Sequence, residues 1–464
     1  MDYDDFVRHK LTTVPPTGIT GDVTIPDSLF PHQAALTRWA LSRGRAAIFA
    51  DTGLGKSRMQ LAWAAEVLRH TGRPVLILAP LAVAAQTVRE GADIGVSVAH
   101  VRDGGEVGDA GLYITNYERL HLFDPSVFGA VVLDESSCIK HHNTKTLAAL
   151  LEAFDRTPFK LCATATPAPN DWTELGTHAE FLGICTRAEM LAEYFVHDGG
   201  ETQTWRLKGH ARAMFWRWVS TWGAMVRKPS DLGFDDSRYI LPPLSVHQHT
   251  VRIEDAAARV GQLLAMEAQT LSERRDARRE SIADRVQACA DLVNADDERW
   301  LVWCDLNAES EALTRAIRGA VEVKGADDAD HKERALTEFA AGNIRALVSK
   351  PSIAGWGMNF QACSHIAFVG VTDSWESYYQ AVRRCWRFGQ QRPVEVHIFA
   401  SDLEGAVVAN LRRKEADALA MAESLSAETR EAVIREVVGL KRETNTYNAT
   451  RTIAVPLWLR SEAA

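Results

Sequence analysis

No run of apolar residues in this 464-residue chain reaches the roughly 18 needed to span a bilayer. The N-terminus, with Asp2, Asp4 and Asp5, has no secretory leader pattern, so a cytoplasmic protein without membrane contact is expected. No C-x-x-C pair occurs, and the seven cysteines (Cys138, Cys162, Cys185, Cys289, Cys304, Cys363 and Cys385) are scattered, as reduced thiols are. Cys138 with His141 and His142 lacks the ligand spacing of a zinc site. No internal repeat, low-complexity tract or zinc finger is apparent. Cations are outnumbered, 52 Lys and Arg against 61 Asp and Glu, for a net charge of −9. That balance does not favour a polyanionic partner, but screening confines surface fields to about 10 Å at ordinary salt, so local distribution decides.

One local absence is informative. Between Thr202 and Ser230 there is no Asp or Glu, while Arg206, Lys208, Arg212, Arg217, Arg227 and Lys228 interleave with Trp205, Phe215, Trp216, Trp218 and Trp222. The basic residues suit a phosphate backbone, which fixes position without reading sequence. Phe215, Trp218 and Trp222, at helical spacing, equally suit the buried face of an amphipathic helix. The two readings coexist if the aromatics face in and the basics face out.

The chemistry concentrates at Ala50 to Ser57, A-D-T-G-L-G-K-S. The apolar run Ala46 to Ala50 reads as a buried strand and Arg58 to Leu68 as a helix, so backbone N–H groups and the positive helix end converge on the loop between them. Thr52, Gly53 and Gly55 shape a phosphate cradle, Lys56 reaches the β- and γ-phosphates, and the Ser57 hydroxyl suits Mg²⁺. Ala50 stands where G-x-x-x-x-G-K-[ST] begins with glycine. Ala130 to Leu133 is an apolar run of buried parallel-strand type ending in Asp134-Glu135. At such a strand end Asp134 can orient hydrated Mg²⁺ and Glu135 can activate a water, the division of labour of hydrolytic phosphoryl transfer. Thr164 to Asn170, T-A-T-P-A-P-N, follows the largely apolar stretch Phe159 to Ala163 and can bring hydroxyls to that pair.

Far downstream, Gln380 to Gln390 reads Q-A-V-R-R-C-W-R-F-G-Q. In this order the motifs resemble those of superfamily-two helicases, and within them the Swi/Snf-type translocases, in the compact form found in phages and bacteria. The resemblance runs from about Phe30 to Ala400. It implies an α/β fold of two RecA-like P-loop lobes, parallel sheets flanked by helices, with helical insertions, and an ATPase using ATP and Mg²⁺. By it Gln33 reads adenine, Pro80, Thr115 and Asn116 touch nucleic acid, and Gly355, Gly357 and Gln380 join the nucleotide site. Arg384 and Arg387 become arginine fingers, worth about 10³ or more in rate in related chemistry. Lys56, Asp134 and Glu135 complete the catalytic set, and Arg212, Arg217, Arg227 and Lys228 the candidate nucleic-acid contacts. In three places the chain departs from the pattern: Ser137 replaces the histidine of D-E-x-H, Arg383 an aspartate, and Ile353-Ala354 the Ala-Gly that opens A-G-G-x-G-x-N.

The expected division is a first lobe over 1–170, a basic, aromatic insertion over 171–240, a helical linker over 241–297, a second lobe over 298–400, and C-terminal helices closing that lobe over 401–464. The tail's Val455-Pro456-Leu457-Trp458 suits docking on the body or a protein partner. The activity expected is a monomeric, ATP-driven motor on double-stranded DNA in a bacterial cell or phage-infected host. A strand-separating DNA or RNA helicase and a slowly cycling nucleotide-dependent clamp are the alternatives.

Overall fold

The computed structural model describes residues 14–80, 83–168, 171–197, 205–251, 281–354, 358–370, 374–401, 413, 429–431 and 433–438. Two all-parallel sheets form its frame, each with helices on both faces, which is the fold class expected. Parallel strands are buried on both faces and therefore read as continuous apolar runs. That is why the motif-bearing strands are visible in the sequence.

The first sheet comprises β1 (Arg45–Ala50), β2 (Val75–Ala79), β3 (Ala99–His100), β4 (Leu112–Asn116), β5 (Ala130–Asp134), β6 (Phe159–Thr164) and β9 (Gly223–Val226), in the order β3-β4-β2-β5-β6-β1-β9. Successive side chains leave opposite faces. Ala46, Ile48 and Ala50 of β1 thus join one core with the Pro31–Arg43 and Lys56–Thr71 helices, while Ala47 and Phe49 join the other with the Leu175–Leu182 and Arg212–Ser220 helices. Between β6 and β9 the short strands β7 (Phe195–His197) and β8 (Trp205–Leu207) pair antiparallel.

The second sheet holds β10 (Leu244–Val251), β11 (Trp300–Cys304), β12 (Ala320–Val323), β13 (Ala346–Ser349), β14 (His365–Val369) and β15 (Val394–Ser401), in the order β10-β15-β14-β11-β13-β12. Leu301 and Trp303 pack on one face with Phe339 and Tyr378; Trp300 and Val302 pack on the other with Val286, Val293 and Leu313.

Three boundaries differ from those expected. The first lobe does not close at residue 170, because β9, from the middle of the expected insertion, pairs with β1 as the seventh strand. The stretch from 241 is not a helical linker at its start: β10 is the edge strand of the second sheet, paired with β15 from Leu244↔Val394 to Val251↔Ser401. Residues 429–438 do not close the second lobe. Val433, 2% exposed, joins the first lobe's core, Glu436 pairs with Arg43, and Arg430 donates to the Ser230 carbonyl. The Val455 to Trp458 segment lies outside the described residues. Among the described residues no helix is long and apolar enough to cross a membrane.

Candidate active site

The loop after β1 reaches the Lys56–Thr71 helix through two glycines in the left-handed region, Gly53 at φ +92° and Gly55 at φ +82°. A Cβ at Gly55 would lie 2.2 Å from the Gln33 amide nitrogen, so a side chain there would have to displace Gln33. Gln33 is held by donating to the Leu54 carbonyl at 3.0 Å and accepting from the Phe30 amide at 3.0 Å. The Lys56 ammonium donates to the Ala50 carbonyl at 2.9 Å. Burial lowers its pKa, Glu135, Asp51 and Asp134 oppose that shift, and Arg387 adds to it.

Strand β5 delivers the acidic pair. Asp134 accepts from Gln60 Nε2 at 2.7 Å, and its backbone carbonyl accepts from the Tyr117 hydroxyl at 2.7 Å. Burial, then the neighbouring Glu135 charge, pushes the Asp134 carboxyl up to about 6. Such a pair favours a divalent cation, whose charge relieves the repulsion. Glu135 has φ +50°, the one positive φ among the described non-glycine residues. A long side chain there is strained, and strain of this kind collects at functional sites. The Thr164 hydroxyl donates to Glu135 Oε2 at 3.4 Å.

Ser137 is buried with its hydroxyl unpartnered. A histidine nevertheless reaches this loop from the Leu175–Leu182 helix: His178 Nε2 lies 3.1 Å from the Ser136 hydroxyl. Burial lowers the His178 pKa to about 4, so the imidazole is neutral at ordinary pH.

The Trp375–Val382 helix and the turn after it bring the second lobe against this face. Arg384 donates to the Met358 carbonyl at 3.2 Å and to Gln380 Oε1 at 3.0 Å, leaving its Nε unpartnered. Burial lowers its pKa to about 10, with Glu135 and Asp134 among the charges opposing. Arg387 meets the Met358 carbonyl at 3.5 Å, and its Nε is also unpartnered. Phe388 packs over Gly53, where a Cβ would stand 3.0 Å from it, and meets the rings of Tyr239 at 4.8 Å and Phe30 at 6.2 Å. Gln33, Arg58, Tyr239, Met358, Arg387 and Phe388 line part of a cleft of about 850 Å³ between the lobes.

Of the residues expected at the nucleotide site, Gln33, Gly53, Gly55 and Arg387 line this cleft, with Thr52 and Ser57 in the adjoining loop and first helical turn. Asp134 and Glu135 interact electrostatically with Lys56 and Arg384, and Arg384 is bonded to Gln380. Gly355 and Gly357 lie outside the described residues, as do Pro169 and Asn170. Thr115 and Asn116 are not on the surface: they are 1% and 7% exposed, and Asn116 Oδ1 caps the next turn by accepting from the Arg119 amide. A nucleic-acid contact through the Thr115 side chain is therefore not available, while Pro80, directly after β2, is half-buried. In the basic, aromatic stretch, Phe215 and Trp222 are buried and Trp218 half-buried, whereas Arg212, Arg217 and Lys228 are exposed and Arg227 half-buried. The aromatics are core, and the cations remain on the outside.

Asp51, Tyr379, Phe388 and Tyr239 were missed in the sequence, because each acts through a partner far along the chain. The first two explain Arg383. Its guanidinium pairs with Asp51 Oδ2 at 2.7 Å, its Nε donates to the Tyr379 hydroxyl at 3.1 Å, and that hydroxyl donates to Asp51 Oδ1 at 2.7 Å. Burial opposes ionisation of Asp51, yet Arg383, with the Tyr379 hydroxyl and the Thr52 amide, holds its carboxyl below the usual range. An aspartate at 383 would instead face Asp51 with like charge. If ATP is the substrate and this bridge persists at turnover, Asp51→Asn and Arg383→Gln are each expected to lower kcat/KM for ATP, and the double variant to fall short of their sum by about 0.5–3 kcal/mol. Additive losses would show that the pair opens before turnover.

Residues 284–389 match the Helicase conserved C-terminal domain. Over 90 residues the chain is 33% identical to the bifunctional helicase and thymine dioxygenase JBP2 of Leishmania braziliensis, and equally to that of Leishmania infantum. The matched region is 18% of this chain and 8% of those relatives, so the chain spans only a small part of their length. Among solved structures, the Sulfolobus solfataricus SWI2/SNF2 ATPase core in complex with dsDNA aligns over 90% of this chain and 98% of that one, with a TM-score of 0.42 and 16% identity.

Proposed function

We propose that this chain is an ATP-hydrolysing superfamily-two helicase of the Swi/Snf type, a motor that moves along double-stranded DNA and displaces bound proteins or strands. What supports the reading is the electrostatic proximity of Lys56, Asp134 and Glu135 of one lobe to Arg384 and Arg387 of the other. An ATPase that turns over only when its lobes close can couple each turnover to a step.

In this reading the backbone amides of the 52–57 loop and Lys56 hold the phosphates, while Gln33, with the rings of Phe30, Tyr239 and Phe388 nearby, receives the base. Ser57 and Asp134 would hold Mg²⁺, which would supply positive charge against the phosphate oxygens. Glu135 takes the proton of the attacking water as its oxygen bonds to the γ-phosphorus, and the bond to the β–γ bridging oxygen breaks, leaving ADP and phosphate. Arg384 and Arg387 stabilise the charge that develops on the transferring group.

The duplex reading draws on the motif order and on Arg212, Arg217, Arg227 and Lys228, set outside a buried aromatic face. The DNA-specific test is displacement of a third strand from a triplex, expected to require ATP, against little unwinding of a blunt duplex. Replacing the four cations by Ala is expected to weaken DNA binding and flatten its salt dependence, each lost phosphate contact removing roughly 0.9 from the log–log slope, with ATP binding intact. An unchanged slope removes these residues from the interface. Robust unwinding without triplex displacement favours the strand-separating alternative.

A further inference from the structure

The edge of the second sheet carries a cluster of metal-ligating side chains that the ATPase reading does not use. Strand β10 reads L-S-V-H-Q-H-T-V, and residues two apart on a strand share a face, so His247 and His249 point the same way. In the parallel register His247 lies opposite His397 of β15, and Glu395 precedes His397 by two residues on that face. Adjacent strands lie about 4.8 Å apart, which brings such a set together without any loop having to fold over it.

The side chains have converged. His247 Nε2 lies 2.5 Å from Glu395 Oε2, and one ligand atom from each of His247, Glu395 and His397 falls within 4.8 Å of the others. Two ligands of one tetrahedral zinc ion, each about 2.0–2.2 Å from it, stand roughly 3–4 Å apart. The set therefore needs only side-chain adjustment to accept an ion. His249 Nε2 is 3.0 Å from His397 Nδ1. If His397 donates through Nδ1, its Nε2 is free to ligate, the arrangement in which a partner fixes the tautomer of a metal-bound histidine. His249 is in turn stacked on Phe399 at 4.6 Å, and His397 lies 5.4 Å from the Trp300 ring, so neither imidazole swings freely. His247 is the exposed member, with its side chain 48% accessible, and gives an ion a way in.

We propose that His247, His397 and Glu395 bind a divalent transition-metal ion of the zinc class, with His249 orienting His397. The imidazole and carboxylate donors exclude Mg²⁺ as the preferred occupant, since that ion takes oxygen ligands and retains its waters. Bound there, the ion clips edge strand β10 to β15.

The test uses the full chain, freed of metal by a chelator and kept without nucleotide, so that it does not depend on the ATPase reading. Zn²⁺ titrated against a fluorescent indicator is expected to show one equivalent bound by the parent protein and none at this site in His247→Ala/His397→Ala. Glu395→Gln and His249→Ala should each weaken binding, the latter by about tenfold or more. Co²⁺ should give the visible d–d bands of a nitrogen- and oxygen-ligated ion. The single exposed change His247→Gln carries the test if the double variant does not fold. Equal stoichiometry in the parent and His247→Gln overturns the proposal, as does an intense near-ultraviolet thiolate band, which would place the ion on cysteine.

Discussion

Glu135→Gln protein mixed with ATP and duplex DNA is expected to bind nucleotide and keep it, with turnover lower by a factor on the order of 10²–10⁴, the range for loss of a positioned general base. The amide preserves shape and hydrogen bonding at a strained position but cannot take the proton. Lys56→Ala is expected to fail differently. It removes a cation facing Asp51, Asp134 and Glu135, so nucleotide binding weakens along with hydrolysis. Filter retention of labelled ATP beside a phosphate-release assay separates the two, and turnover surviving in both variants would place the chemistry elsewhere.

The second large effect lies on the other lobe. Arg387→Ala is expected to leave ATP affinity near the parent value and lower nucleic-acid-stimulated turnover by about 10³ or more, because a finger acts on the transition state. Arg384→Ala should lose turnover and also stability. Its guanidinium satisfies the Met358 carbonyl and Gln380 Oε1 inside the lobe, and stranding buried polar groups costs about 1–3 kcal/mol. Denaturant melts should therefore separate two variants that look alike by activity. Equal stability would mean that Arg384 does not hold its own lobe together, and an unimpaired Arg387→Ala would remove that residue from the site.

Elements legible in the sequence were those whose pattern is local. β1, β5, β11 and β13 contain continuous apolar runs and β6 one interrupted by Lys160, and the chemistry-bearing loops sit directly at the ends of several of them. β9 escaped because Gly-Ala-Met-Val is too short to signal a strand, and only its fit beside β1 makes it one. β10 escaped because it is half-exposed and carries histidines where a buried strand would carry Val or Ile. Residues 429–438 could not be assigned to a lobe from their own pattern, since an amphipathic segment does not say which core receives it. Arg383 was visible as a departure, but its meaning required Asp51, which the fold alone places 2.7 Å away.

The return of residues 429–438 to the first lobe has a kinematic consequence. The chain passes from one lobe to the other between β9 and β10, and passes back between β15 and Val433. Two bodies joined by a single tether can swivel about three axes. A chain that also returns is more restrictive, and the Arg430 bond to the Ser230 carbonyl brings the returning segment back beside the outgoing one. Two chain connections bound the separation of the lobes more tightly than one would, so the span of the cleft is limited by covalent structure as well as by the contacts across it.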